Sequence, residues 1–213
     1  MSNTANHTEC VHTSFYARRL HSLLGIVPIG FFLLEHVITI SSVMGGGHAF
    51  DAAVAKLAAI PHDILIAMEI VFIALPILFH GIYGLYIARQ AKLNPGRYGY
   101  MRNKQFTLQR ISAYYLFIFL ILHVGYLRFM VKGSTGISFA QMSEHLGNPI
   151  IMLLYVIGLV FAIFHFTNGL FTFSITWGIA KGPRVQSVIN KIAWILFVVL
   201  SVVGVASTLK FFA

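Results

Sequence analysis

The 213 residues are 58% hydrophobic and only 10% charged, with a mean hydropathy of +0.81. This composition excludes an ordinary soluble domain and predicts an all-α membrane protein. The net charge of +9 marks a chain that meets a membrane surface rather than nucleic acid, because of where the basic residues fall.

Crossing a hydrocarbon core of about 30 Å takes about 20 apolar residues of helix. Five segments meet that length, near 20–44, 64–88, 111–131, 150–178 and 190–210. They make residues 1–213 a single membrane domain, a five-helix bundle with no room for a separate soluble domain. Arg18, Arg19, Arg89, Lys92, Arg97, Arg102, Lys104, Arg110, Lys181, Arg184 and Lys191 precede helix one or follow helices two and four. Only Lys56, Arg128, Lys132 and Lys210 fall on the other side. The bias of basic residues toward the cytoplasm puts the N-terminus inside and the C-terminus outside.

Residues 1–19 form a polar cytoplasmic arm. No A-x-A-like cleavage site follows it, so helix one is expected to be retained. Cys10 stands alone and cannot form an intrachain disulfide. No C-x-x-C-H is present, which excludes covalent c-type haem. The chain has no G-x-G-x-x-G and no P-loop, and so no visible nucleotide or flavin site. Helix one carries Pro28, Glu35 and His36. The outer loop at 45–63 opens on Gly45, Gly46 and Gly47. It then sets Phe50, Val54 and Leu57 at helical spacing, which predicts a short interfacial helix ended by Pro61. That helix is either a connector or a lid.

Helix two contains Pro76, which lacks the N–H of an i→i−4 bond and is expected to kink the helix one turn before His80. The basic loop from Gln90 to Gln109 offers a docking surface for a soluble partner or for anionic lipid headgroups. Helix three carries His123 and helix four His165. Helix five, around Ile192 to Leu209, has no charge and no histidine, and reads as structural.

An ionisable residue inside a span is costly and marks a functional site by default. Here one histidine lies in each of four consecutive spans. His36 is 9 residues from Gly45 and His123 is 9 from Lys132, whereas His80 is 17 from Asp63 and His165 is 16 from Pro149. At about 1.5 Å per residue, the first two lie about 14 Å from the outer edge and the second two about 24–26 Å from it. Depth therefore pairs His36 with His123 near the outside, and His80 with His165 near the cytoplasm, on levels about 10–12 Å apart. Neutral imidazoles are axial ligands of b-type haem, and two bis-histidine haems would form an electron path across the membrane. Four ligands at two depths cannot build one tetrahedral zinc site. Gly84 and Gly169 follow their histidines at i+4, and Gly158 precedes His165 at i−7. These glycines either clear space for a flat macrocycle or allow close helix packing. Bis-histidine iron has no open position, so it carries electrons to another site, and in a membrane the lipid-soluble acceptor is a quinone. The contrasting reading is a haem-free transporter that relays protons through its histidines. It predicts a colourless protein.

Four segments, "ARRLHSLLGIVPIGFFLLEH" (17–36), "LPILFHGIYGLYIAR" (75–89), "ISAYYLFIFLILHVGY" (111–126) and "FHFTNGLFTFSITWG" (164–178), together resemble the cytochrome b membrane subunit of succinate dehydrogenase. The resemblance is to the bacterial single-chain, five-helix, two-haem type shared with fumarate reductases, and it covers residues 15–210. It implies a multi-pass protein of the bacterial cytoplasmic membrane that anchors a flavoprotein and an iron–sulfur subunit at the cytoplasmic face. It also implies that electrons from succinate pass through a higher-potential inner haem on His80 and His165, then a lower-potential outer haem on His36 and His123, to menaquinone. The cytochrome b subunit of another quinone-linked dehydrogenase would share the same chemistry.

Several further residues carry open readings. Glu69, about 9 Å from the outer edge, exchanges protons with a quinone, snorkels to the headgroups or pairs with Arg128. Arg128 is a partner for outer-haem propionates or an ordinary interface arginine. Arg19, His21 and Ser22 either hold inner-haem propionates or, for Arg19 with Arg18, set topology. Glu35 lies about 100° around the helix from His36 and serves a proton path, a helix–helix hydrogen bond or the interface. Trp177 reads as an aromatic-belt residue. His7, His12, His48, His62 and His145 are given no role.

Overall fold

The computed structural model describes the backbone of residues 3–131 and 137–212, with side chains from residue 14 onward apart from 130 and 131. Lys132, the outer reference for the depth of His123, lies outside the described residues, as do the side chains of His7, Cys10 and His12. Every regular element among the described residues is a helix, and five helices are long and apolar enough to cross a membrane: Ser14–Gly45, His62–Gln90, Met101–Phe129, Pro149–Thr176 and Pro183–Leu209.

The first span is two helices end to end, α1 (Asn3–Ile26) and α2 (Pro28–Ser41). Val27 still donates to the Leu23 carbonyl at 2.8 Å. Pro28 has no N–H to offer Leu24, so the regular helix breaks there and restarts with proline at its first position. A 3₁₀ turn, Ser42–Gly45, leads into α3 (Gly47–Ala58), the interfacial helix expected from the spacing of its apolar residues. Gly46 between them has φ of +97°, a conformation that side-chain-bearing residues avoid. Pro61 then leads into α4 (His62–Met68).

In the second span, α4 passes through a π-helical stretch, Glu69–Ala74, into α5 (Leu75–Gln90). Pro76, where a kink was expected, is the second residue of α5 and follows this π-helical stretch. The wider turn sits immediately N-terminal to the proline, where an i→i−4 bond has to be given up. The third span, α6 (Met101–Tyr126), also ends in a π-helical stretch, Leu127–Val131.

Helix α6 starts ten residues before the apolar segment does, at Met101, and α9 (Pro183–Leu209) starts seven before it. The extra turns are polar, so hydropathy does not see them. They are held by bonds between the two helices, Arg102 to Gln186 at 3.0 Å and Gln105 to Asn190 at 3.0 Å. A second short helix between spans, α7 (Phe139–Leu146), precedes α8 (Pro149–Thr176). Its start is fixed by a capping box between Ser138 and Gln141. The Asp51 carboxylate on α3 accepts the Phe139 N–H at 2.7 Å, which ties the two interfacial helices together.

Packing is inverted relative to a soluble bundle. Large apolar side chains such as Phe31, Ile38 and Val202 point outward, as lipid-facing residues do, while Ser112, Thr167, Ser207 and Thr208 are buried. With lipid as solvent, close approach and side-chain hydrogen bonds drive association. Ser207 and Thr208 each bond back to a carbonyl four residues earlier at 2.8 Å. The main apolar cluster is at one end of the bundle, where Phe50 of α3 and Met142 and Leu146 of α7 pack with Leu127, Met152 and Phe211.

Candidate functional site

The first two spans run antiparallel, and so do the third and fourth. The helices thereby bring His36 of the first span level with His123 of the third, and His80 of the second level with His165 of the fourth. The imidazoles of His36 and His123 face each other with ring centroids 6.0 Å apart and planes at 81°. Those of His80 and His165 stand 6.1 Å apart, also at 81°. These are the two pairs that the depth of each residue in its segment matches. Among the described residues no three His, Cys, Asp or Glu side chains gather to hold a metal ion. The histidines come together in facing twos.

This spacing fits haem iron. Taking metal–imidazole bonds of about 2 Å, two imidazoles on opposite sides of one metal have their centroids about 6 Å apart. Donor chemistry fits as well, since all four are imidazoles, the axial ligand type of b haems. In the second pair the ring nitrogens are already divided between two jobs. His80 Nδ1 lies 2.9 Å from the His21 carbonyl oxygen, which can only accept, so Nδ1 carries the proton and Nε2 is left for a metal. His165 Nδ1 lies 3.2 Å from the Ser112 hydroxyl. In the first pair His123 Nδ1 is buried without a partner, and each ring is stacked on the phenylalanine one turn before it, Phe32 on His36 at 5.5 Å and Phe119 on His123 at 5.4 Å.

The residues around the pair of His80 and His165 are organised by close packing. Gly25 leaves no room for a side chain, because a Cβ there would overlap the His80 ring, with Nδ1 only 2.8 Å away. Gly25 was not singled out in the sequence. It is the last residue of the R-R-L-H-S-L-L-G string, and its position one turn past His21 is the signal that could have found it. His21 stacks its imidazole on His80 at 4.1 Å with planes at 6°, and its Nε2 lies 3.0 Å from where a Gly84 Cβ would stand. Gly84 thus makes room for His21. The space at Gly158 is filled by the Phe119 ring, within 2.7 Å of a built Cβ. At both glycines a side chain of a neighbouring span makes the close approach.

The remaining sequence-predicted residues have partners of their own. The Arg19 guanidinium lies over the rings of Phe15 and Trp177 at 5.0 and 5.1 Å. Ser22 donates to the Arg19 carbonyl at 2.9 Å and accepts from Trp177 Nε1 at 3.0 Å. Arg19, Ser22 and Trp177 therefore form one cluster at that end of α1, beside His21. At the opposite end Arg128 Nη2 meets Glu69 Oε2 at 2.9 Å, with a second contact from Nη1 to Oε1 at 3.4 Å. Both residues sit on the π-helical stretches, a local geometry frequent at functional sites. Glu35 accepts from Thr39 on its own helix at 2.5 Å. This is an intrahelical bond, distinct from the helix–helix bond among its expected readings.

His145, given no role in the sequence, reaches the pair of His36 and His123 through Tyr155. Its ring stacks on Tyr126 at 4.2 Å, and its Nε2 is 3.0 Å from the Tyr155 hydroxyl. The Tyr155 ring packs against His123 at 5.3 Å. The S-x-x-Q string at Ser138 is the signal that could have placed this histidine on a helix over the site.

Residues 96–206 match the family described as Succinate dehydrogenase/Fumarate reductase transmembrane subunit. The chain is also 40% identical over 197 residues to the succinate dehydrogenase cytochrome b558 subunit of Bacillus subtilis (strain 168), across 92% of this chain and 96% of that relative.

Proposed function

The chain belongs to the succinate dehydrogenase/fumarate reductase transmembrane-subunit family, and on that premise we propose that it is the two-haem, quinone-reactive anchor of a succinate:menaquinone oxidoreductase. At the coarser level it is a membrane-anchoring cytochrome b subunit, multi-pass in the bacterial cytoplasmic membrane and part of an oxidoreductase complex. Haem b is its cofactor, and the flavoprotein and iron–sulfur subunits of the complex are its partners.

The observation that carries the finer reading is the occurrence of two facing histidine pairs, with centroids 6.0 and 6.1 Å apart, on four consecutive spans. His80 and His165 would hold the inner haem, and His36 and His123 the outer one. When bound, the haems supply one-electron carriage between the iron–sulfur subunit and menaquinone. The chain's own residues do the rest. The four spans fix the ligand rings, and the surrounding apolar side chains exclude water. Arg128 and Glu69 offer a hydrogen-bond donor and a proton-exchanging carboxylate near the outer pair, where reduction of a quinone must take up protons. Arg19, His21 and Ser22 at one end, and Arg128 at the other, offer donors for propionates. The basic residues of 89–110 and 181–191 face the cytoplasm in this reading, so the N-terminus is inside and the partner subunits dock there.

The test is purification of the complex through a tag on this chain. A flavoprotein and an iron–sulfur subunit should co-purify, succinate should reduce a b-type haem spectrum, and a menaquinone analogue should reoxidise it. A colourless preparation, or a haem that succinate does not reduce, would contradict the proposal.

A further inference from the structure

We propose that Ser112 is a positioning residue for the inner haem, acting through His165. The inference rests on the reading of His80 and His165 as the inner-haem ligands. Ser112 lies on α6 opposite His165 on α8 and is completely buried. Its hydroxyl donates to the Gln109 carbonyl at 3.0 Å. A hydroxyl has one proton to give. With that proton directed at Gln109, the oxygen can face His165 Nδ1, 3.2 Å away, only as an acceptor. His165 is then held as the Nδ1–H tautomer, with its Nε2 lone pair free for iron.

The backbone of His165 is held by the same helix. Gln109 Nε2 donates to the His165 carbonyl at 3.1 Å, and Asn168 Nδ2 donates to Gln109 Oε1 at 2.7 Å. Ring and main chain of one residue are thus tied to a single turn of α6, so the ring has little freedom to rotate about its bond to the metal. On the other side of the pair, His80 is tied by a carbonyl. The outer pair lacks this arrangement at His123, whose Nδ1 is buried and unpartnered. A hydrogen bond accepted from the distal ring nitrogen raises the basicity of the ligand and fixes its orientation, which favours the ferric state.

The experiment compares complexes carrying Ser112→Ala and Ser112→Thr with the unsubstituted complex, by haem content, stepwise redox titration and low-temperature paramagnetic resonance of the ferric haems. Ser112→Ala should keep both haems, move the inner-haem step to higher potential and shift the inner low-spin signal, leaving the outer step and signal in place. Ser112→Thr retains the hydroxyl and should restore both properties. If the alanine variant does not assemble, Ser112→Cys, a weaker acceptor of similar size, should give a smaller upward shift of the same step. An inner step and signal unchanged in the alanine variant with both haems present would overturn the inference, as would a threonine variant displaced as far as the alanine one. His165→Tyr separates this failure from that of the underlying reading. If it removes the inner haem while Ser112→Ala moves nothing, only the positioning role falls. If it leaves both haems in place, the ligand assignment itself is wrong.

Discussion

A methyl group at Gly25 would occupy the space of the His80 imidazole, whose Nδ1 is 2.8 Å from the position a Cβ would take. The constraint comes from the first span lying directly against the second at the level of His21, which stacks on the same ring. Gly25→Ala is therefore expected to displace His80 and to remove or weaken the inner haem, leaving the outer one bound. Haem content and the optical titration check this. A variant with both haems at unchanged potentials would show that the helices relax apart without loss.

The ion pair of Glu69 and Arg128 predicts a separable step. General acid–base groups contribute about 100-fold or more to proton transfer. Glu69→Gln should slow quinone reduction by about that factor while succinate still reduces the haems at the normal rate. Steady-state quinone reductase assays set beside pre-steady-state haem reduction distinguish the two. Full quinone reductase activity in the variant would leave the pair a purely structural link between the second and third spans.

His145 lies outside the spans on α7, where partial burial holds its pKa below the usual histidine value. Because the folded value lies below the unfolded one, the fold favours the neutral ring. Its contribution is present above the unfolded pKa of about 6.5 and is lost as pH falls below that value toward the lower folded one. Hydrogen-exchange protection factors across Phe139–Leu146, corrected for the intrinsic rate at each pH, should fall on acidification from neutral pH. His145→Gln, which does not titrate, should flatten that response. An acid response of equal size in the glutamine variant would assign it to other groups.

Much of the architecture was legible because membrane insertion writes it in composition. The five spans, the interfacial helix after Gly46 and the backbone irregularity before Pro76 follow from apolar length, spacing and a missing N–H. The pairing of the four histidines was legible because rise per residue is constant, so position within a span is a depth. Polar helix extensions were not, since Met101–Arg110 and Pro183–Asn190 are stabilised by contacts between the two helices at Gln105 and Asn190 rather than by local hydrophobicity. Nor were Gly25 and Ser112, whose importance lies in which residue of another span stands opposite. A helix rotation decides that, and hydropathy does not encode it. Which side chain stands opposite a glycine depends on the facing helix, and that is His21 at Gly84 and Phe119 at Gly158.

The most direct test of the central claim is haem stoichiometry with redox titration of the complex, in the unsubstituted chain and in each of His36→Tyr, His80→Tyr, His123→Tyr and His165→Tyr. Two low-spin b haems per chain should titrate at distinct potentials. His36→Tyr and His123→Tyr should each remove the same one, and His80→Tyr and His165→Tyr the other. A colourless protein, one haem per chain, or losses that do not group in these two pairs would contradict the account.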